Sequence, residues 1–228
     1  MPRDDVCQVE NRCYGHLCLL ERCSARQLAV RKSITHIHVR AINMRASRGI
    51  LSVGSLQFPC MIGRSGRSYR KKEGDGTTPV GCWQLVALGY RADRDLPPRS
   101  CLPARPIGIS AGWCDAVGDR NYNRPVKLPY TASHEKLRRN DGLYDVIVIL
   151  SHNQRPRIQD RGSAVFLHLA DPKEAPTAGC IALSRRHMAL VLAQCGRRTR
   201  LVIWSSSGCP NHGSQKLPSQ HGHESHHI

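Results

Sequence analysis

The chain has 228 residues, with 34 Lys and Arg against 17 Asp and Glu, a formal charge of +17, and 40 % apolar residues. That length gives one domain with appendages, or two small ones, and the apolar share suits a packed core rather than a disordered chain. No G-X-Y register, sustained heptad or long repeat is present, and no apolar run approaches the ~20 residues of a membrane span, so collagen, coiled coil, repeat arrays and transmembrane helices are excluded.

Residues 1–33 show no clean periodicity and are expected to be a disordered leader. Their apolar run is only Leu17, Cys18, Leu19 and Leu20, and Glu21, Arg22, Arg26 and Arg31 follow at once, so it does not read as a signal peptide. From Ile34 the pattern changes. Ile37, Val39 and Ala41 alternate with His36, His38 and Arg40, the period-two signature of a half-buried strand. Leu51–Val53 and Leu56–Ile62, joined by Gly54-Ser55, predict a hairpin. A long polar loop runs from Gly63 to Thr78, and Val80–Leu88 is a further strand. The Pro-rich, charged stretch 89–142 is expected to be loops laid over a β core as a lid.

Leu143–Leu150 is a strand on its β-branched residues Val146, Ile147, Val148 and Ile149. Ala164–Leu169 and the short Gly179–Leu183 are two more. Ser184 is the expected N-cap of a helix through Cys195, with Met188, Val191 and Leu192 at helical spacing and Gly196 as its stop. Arg200–Trp204 closes the domain as a strand. The Ser-, Gly- and His-rich residues 205–228 are expected to be a disordered tail. The fold class is therefore mainly β, a flattened β-sandwich or barrel over residues 34–204, with one clear helix and a long loop or lid insertion.

Residues 34–204 hold 27 of the basic and 12 of the acidic side chains, a net charge of +15. Such a surface attracts polyanions. Specific nucleic-acid recognition is not expected, because the 11 aromatics form no RNA-binding motif and no zinc-finger or basic-zipper spacing is present. The eleven cysteines are odd in number and scattered, unlike the framework of a small secreted domain. Cys7, Cys13, Cys18 and Cys23 form no CxxC pair, leaving a zinc-dependent leader as a minor alternative.

One cysteine stands apart. In Thr177-Ala178-Gly179-Cys180-Ile181, Pro176 and Gly179 turn the chain just before a strand, presenting Cys180 at its lip. The amides of Gly179 and Cys180 are placed to face one oxyanion. His168 lies twelve residues earlier, at the end of another apolar strand. If the two strands are neighbours, imidazole and thiol meet, as a cysteine nucleophile and its base require. Taken singly, a Gly-Cys is usually a buried small hydrophobe and a strand-end His a satisfied polar group.

Phe166-Leu167-His168 followed by Thr177-Ala178-Gly179-Cys180-Ile181-Ala182-Leu183 resembles the signature of the L,D-transpeptidase (YkuD-type) family, where a histidine precedes a Ser/Thr-x-Gly-Cys segment. Gly74-Asp75-Gly76-Thr77-Thr78-Pro79-Val80-Gly81-Cys82-Trp83 is similar to that family's Thr-Pro-x-Gly-aromatic block, and Ile62-Gly63-Arg64-Ser65-Gly66 to the segment before it. Asn121-Tyr122-Asn123-Arg124-Pro125 and His152-Asn153 agree with a basic branch. The similarity spans roughly residues 34–204.

The resemblance implies a peptidoglycan transpeptidase with Cys180 as nucleophile and His168 as general base and acid. It implies a stem tetrapeptide donor attacked at its third residue, loss of the terminal D-alanine, and acylation by carbapenems. Net hydrolysis, as in an L,D-carboxypeptidase, and a non-catalytic basic binding module for cell wall or nucleic acid are the alternatives. Many members have His before the Gly-Cys and Arg two residues after it, where this chain has Ala178 and Ala182. Arg124, Arg185 and Arg186 are candidates to replace that cation, and Thr177, Asn153 and Ser163 are candidate substrate contacts at the cleft rim. Arg64, Arg67, Arg70, Lys71 and Lys72 are candidates to concentrate anionic wall polymer. No cofactor or metal is expected, and a monomer is. The substrate places the protein in the periplasm or cell envelope, or in the cytoplasm if it acts on recycled wall fragments.

Overall fold

The computed structural model describes residues 33–205. Strands β1 (Ile34–Arg40), β2 (Arg48–Val53), β3 (Leu56–Met61), β4 (Arg67–Ser68), β5 (Thr78–Pro79) and β6 (Gly81–Tyr90) come first. The short β7 (Ala104–Pro106), β8 (Ala111–Cys114), β9 (Arg124–Lys127) and β10 (His134–Lys136) follow. Then come β11 (Val146–Leu150), β12 (Phe166–Leu169), β13 (Ile181–Leu183), helix α1 (Arg185–Leu192) and β14 (Cys195–Ile203). The expected leader and tail, with Cys7, Cys13, Cys18 and Cys23, lie outside the described residues, apart from Ser33 and Ser205 at the margins.

Eight strands run side by side in the order β11-β12-β13-β3-β2-β1-β14-β6, and β6 pairs back onto β11 to close a barrel. Closure leaves no exposed edge along most of this circuit, which removes the liability of unpaired strand edges. Alternation then sorts the side chains. Ile37, Val39, Leu51, Val53, Val148, Leu167, Leu169, Ile181, Leu183 and Leu201 point inward as one apolar cluster. Helix α1 buries Met188, Val191 and Leu192 in the same cluster. Each such side chain contributes roughly 1.5–3 kcal/mol on burial.

Helix α1 begins as expected, with Ser184 Oγ accepting the His187 amide at 3.3 Å. It ends three residues short of the expected Cys195, which instead opens β14 beside β1. Gly196 is not a helix stop: a side chain there would meet Ser33 Oγ at 2.5 Å, so the residue answers a close approach of two chains. The strand expected from Leu143 starts only at Val146, because Gly142–Asp145 forms a turn closed by Asp145 N–H to Gly142 O at 3.1 Å.

The stretch expected to be loops, 89–142, carries β7, which extends β6, and a separate sheet in the order β10-β8-β9. Its two ends are clamped together. Arg91 donates to Arg139 O at 2.6 Å and pairs with Asp93, which also holds Arg138, while Arg94 and Arg185 both grip the buried Asp145. The small sheet covers the outer face of β11 and β12, where Ile107, Trp113, Leu137, Tyr144, Ile147 and Phe166 form a second apolar cluster. Cys180 belongs to this outer cluster and not to the barrel interior.

Candidate active site

Strands β12 and β13 are parallel neighbours, with Leu167 opposite Ile181 and His168 opposite Ala182. Leu167 and Ile181 fill the barrel, so by alternation His168 and Cys180 share the outer face, two positions out of register. Such diagonal neighbours lie about 7–8 Å apart along the sheet, within reach of side chains. Parallel strands need a long crossover. Here residues 170–180 supply it without a helix, and they deliver Cys180 to the start of β13.

That crossover is held by the loop carrying Thr77 and Thr78. Arg64 N–H donates to Thr177 O at 2.8 Å and Thr177 N–H to Ile62 O at 3.1 Å. Thr78 Oγ1 accepts the Gly63 amide at 2.8 Å, and the Thr177 hydroxyl donates to Cys180 O at 2.6 Å. The two sequence blocks, about a hundred residues apart, thus form one turn. The Gly179 amide donates to Thr177 Oγ1 at 3.1 Å, and Gly179 has φ +143°, where a Cβ would come within 2.8 Å of Thr77 O. Only glycine fits that passage without strain.

Cys180 is 9 % exposed. Its Sγ donates to Ala164 O at 3.2 Å and accepts the Phe166 amide at 3.3 Å. Burial pushes its pKa up to about 12, with the Phe166 amide and then Lys71 pulling the other way and Glu135 adding to the rise. His168 Nδ1 donates to Leu169 O at 2.8 Å, which fixes the tautomer and leaves Nε2 as the basic nitrogen. Burial holds this imidazole down at about 4. The Tyr144 ring packs edge-on against it at 5.2 Å. Thiol and imidazole are therefore both neutral at rest, and the group orienting the imidazole is a backbone carbonyl.

Both side chains line one cleft of about 400 Å³. Ser163 and Thr177 line it too, and the buried Ser163 Oγ has no protein partner among the described residues. Asn153 and Arg124 stand outside it. Asn153 ties its own loop through Ile158 O and Gly162 O, each at 2.9 Å, and Arg124 is exposed on β9. Arg185 is occupied by Asp95 and Asp145. Among the loop cations proposed to gather anionic polymer, Arg67 is buried and donates to the carbonyls of Trp204, Ala41 and Asn43, while Lys71 alone lines the cleft.

Sequence reasoning missed the rest of the wall. Glu73, Asp115, Glu135, Asp171, Arg139 and Tyr144 face the cleft, so its lining is acidic in a basic protein. Glu73 is placed by the Tyr122 hydroxyl at 2.6 Å, and burial raises the pKa of Glu135. Arg139 lies over the Tyr144 ring at 4.9 Å. These residues come from separate elements, and no local pattern announces them. A more apolar hollow of about 480 Å³ adjoins the cleft past Leu143, Asp171 and Ala182; Cys60, which is buried, and His187 both line it. Among the described residues, no group of three or more His, Cys, Asp or Glu is arranged to hold a metal.

No curated protein and no solved structure matches the chain. A family model described as the L,D-transpeptidase catalytic domain (YkuD) matches residues 48–203, well over half of the sequence and the whole circuit from β2 to β14. On that match the chain belongs to the L,D-transpeptidase catalytic-domain family.

Proposed function

We propose that the protein is a peptidoglycan L,D-transpeptidase acting through Cys180 and His168. The observation that carries this reading is a neutral thiol and an imidazole with a free Nε2, on one face of adjacent strands and lining one cleft. Substrate entry displaces the Ala164 carbonyl from the S–H, which turns to His168. Nε2 takes the proton as Sγ attacks the carbonyl of the third stem residue, and the protonated His168 returns it to the departing D-alanine amine. The result is a thioester on Cys180. An acceptor amine then attacks, gives its proton to Nε2, and releases the sulfur.

A buried cysteine whose pKa is pushed up to about 12 does not ionise on its own at neutral pH. Proton transfer to His168 within the same step avoids forming a free thiolate. The oxyanion is assigned to the Cys180 and Gly179 amides, the latter after it leaves Thr177 Oγ1. The acidic wall of Glu73, Asp115 and Glu135 suits an amine-bearing donor residue and an incoming amine. Ser163 Oγ, without a partner among the described residues, is assigned to the substrate backbone. The substrate is wall material, which places the work of the protein in the cell envelope; among the described residues no helix is long and apolar enough to cross a membrane.

The test is product analysis by mass spectrometry after incubation with a disaccharide tetrapeptide. Released D-alanine with cross-linked dimers supports transpeptidation. Released D-alanine with free tripeptide alone assigns the acyl-enzyme to hydrolysis. No D-alanine release, with retained binding to wall polymer, would replace the enzyme by a binding module.

A further inference from the structure

Lys71 is a buried lysine that the mechanism above leaves without a role. Its side chain is 6 % exposed and runs through a slot between two glycines. A Cβ on Gly162 would stand 2.7 Å from Lys71 Cγ, and one on Gly179 would stand 3.5 Å from Cε and 3.6 Å from Nζ. Both glycines have positive φ, +83° and +143°, so the backbone on each side is shaped around this side chain. The ammonium therefore arrives directly behind the residue that precedes Cys180.

The charge is secured there. Nζ pairs with Asp75 Oδ1 at 2.5 Å and donates to Lys72 O at 2.8 Å. Asp75 in turn accepts the amides of Lys72 and Thr77 and the Thr77 hydroxyl, each at 2.8 Å. Its carboxylate is thereby held by four donors. Burying an ammonium is costly, and a loop needing only a tie would be served by the Asp75 turn alone.

Building on the transpeptidase reading, we propose that Lys71 is the positioning cation of the site: its ammonium, threaded between Gly162 and Gly179, favours the anionic state of Cys180 and of the oxyanion formed beside it. The other charged or titratable groups lining the cleft with Cys180 are His168 on β12, Tyr144, Glu73, Asp115, Glu135, Arg139 and Asp171. Lys71 itself is flanked by Asp75 and by His152, whose Nε2 lies near the same slot.

The test is the pH profile of Cys180 alkylation by iodoacetamide, read by mass on the tryptic peptide 174–185, whose sole cysteine is Cys180. In Lys71→Met the profile shifts to higher pH and labelling near pH 7.5 slows about three- to tenfold. Lys71→Arg, which keeps the charge, recovers most of the rate. Asp75→Asn, which leaves the lysine unneutralised, shifts the profile to lower pH. The proposal is overturned if Lys71→Met keeps its melting temperature and labels with the wild-type profile, or if Lys71→Met and Asp75→Asn both slow labelling, as loss of a purely structural tie would do. Failure of the transpeptidase reading is seen separately: wild-type Cys180 would alkylate yet form no stem thioester.

Discussion

Asn123 joins the covering sheet to the strand that holds the thiol, and its removal gives a sharp test of how the site is built. The residue is 2 % exposed with φ 53°. Oδ1 accepts from Trp113 Nε1 at 2.9 Å and from Ala164 N–H at 3.2 Å. Nδ2 donates to His152 O at 3.2 Å and to Asn153 O at 2.7 Å. Asn123→Ala strands all four groups. At a net ~1 kcal/mol per hydrogen bond the loss is about 4 kcal/mol, and the left-handed backbone that Asn tolerates adds ~1 kcal/mol for Ala. At 2–4 °C per kcal/mol for a domain of this size, the midpoint drops by roughly 10–20 °C. Because Ala164 also offers the carbonyl that holds Cys180 Sγ, acylation of Cys180 should slow even well below the new midpoint. Thermal unfolding by circular dichroism beside Asn121→Ala, whose side-chain amide donates to Tyr130 Oη, supplies the measurement and its control. A midpoint within about 3 °C of wild type would refute this view of Asn123.

Other expected outcomes follow from the same geometry. His168→Gln keeps the site's volume but lacks a base, so acylation by substrate slows by about 10²–10⁴ while the melting temperature moves little; stopped-flow acylation within tenfold of wild type would contradict the assignment. Ser163→Ala removes a buried hydroxyl without a partner among the described residues, so KM should rise about five- to tenfold with kcat nearly unchanged and stability equal or higher; a fall in kcat alone would place Ser163 elsewhere in the mechanism. Burial holds His168 and His152 at about 4 in the folded state, well under the ordinary histidine value. The unfolded chain therefore binds more protons between about pH 6.5 and 4, so the stability that is full above pH 6.5 declines as pH falls through that window. Urea midpoints that stay flat from pH 7 to 5 would show the two imidazoles to be accessible.

Much of the barrel was legible either from alternation of buried and polar residues or from β-branched runs. Ile37 and Val39 on β1, and the β-branched run in β11, announce themselves by period and composition. The covering sheet was not legible. Its strands of three or four residues, such as Arg124–Lys127 and His134–Lys136, are largely polar and expose much of their length, so their sequence carries no alternation. The end of α1 was misplaced because Cys195 has the apolar character of a helix face and is buried, its Sγ donating to Val191 O of α1 at 3.1 Å, while its backbone already pairs with β1. At the site, Cys180 and His168 stood out through motif and strand context. The partner of His168 is the Leu169 carbonyl, which every residue possesses and no sequence can signal. Lys71, Glu135 and Tyr144 reach the cleft from remote segments, and only the closure of the barrel under its cover brings them together.

The central claim is that Cys180 is the acyl-accepting nucleophile. Its most direct measurement is the intact mass of the purified protein after exposure to a carbapenem, for wild type, Cys180→Ala and Cys60→Ala. A single stoichiometric adduct in wild type and Cys60→Ala, absent from Cys180→Ala and mapped to peptide 174–185, is the predicted result. An adduct that survives in Cys180→Ala, or none in the folded wild type, would contradict it.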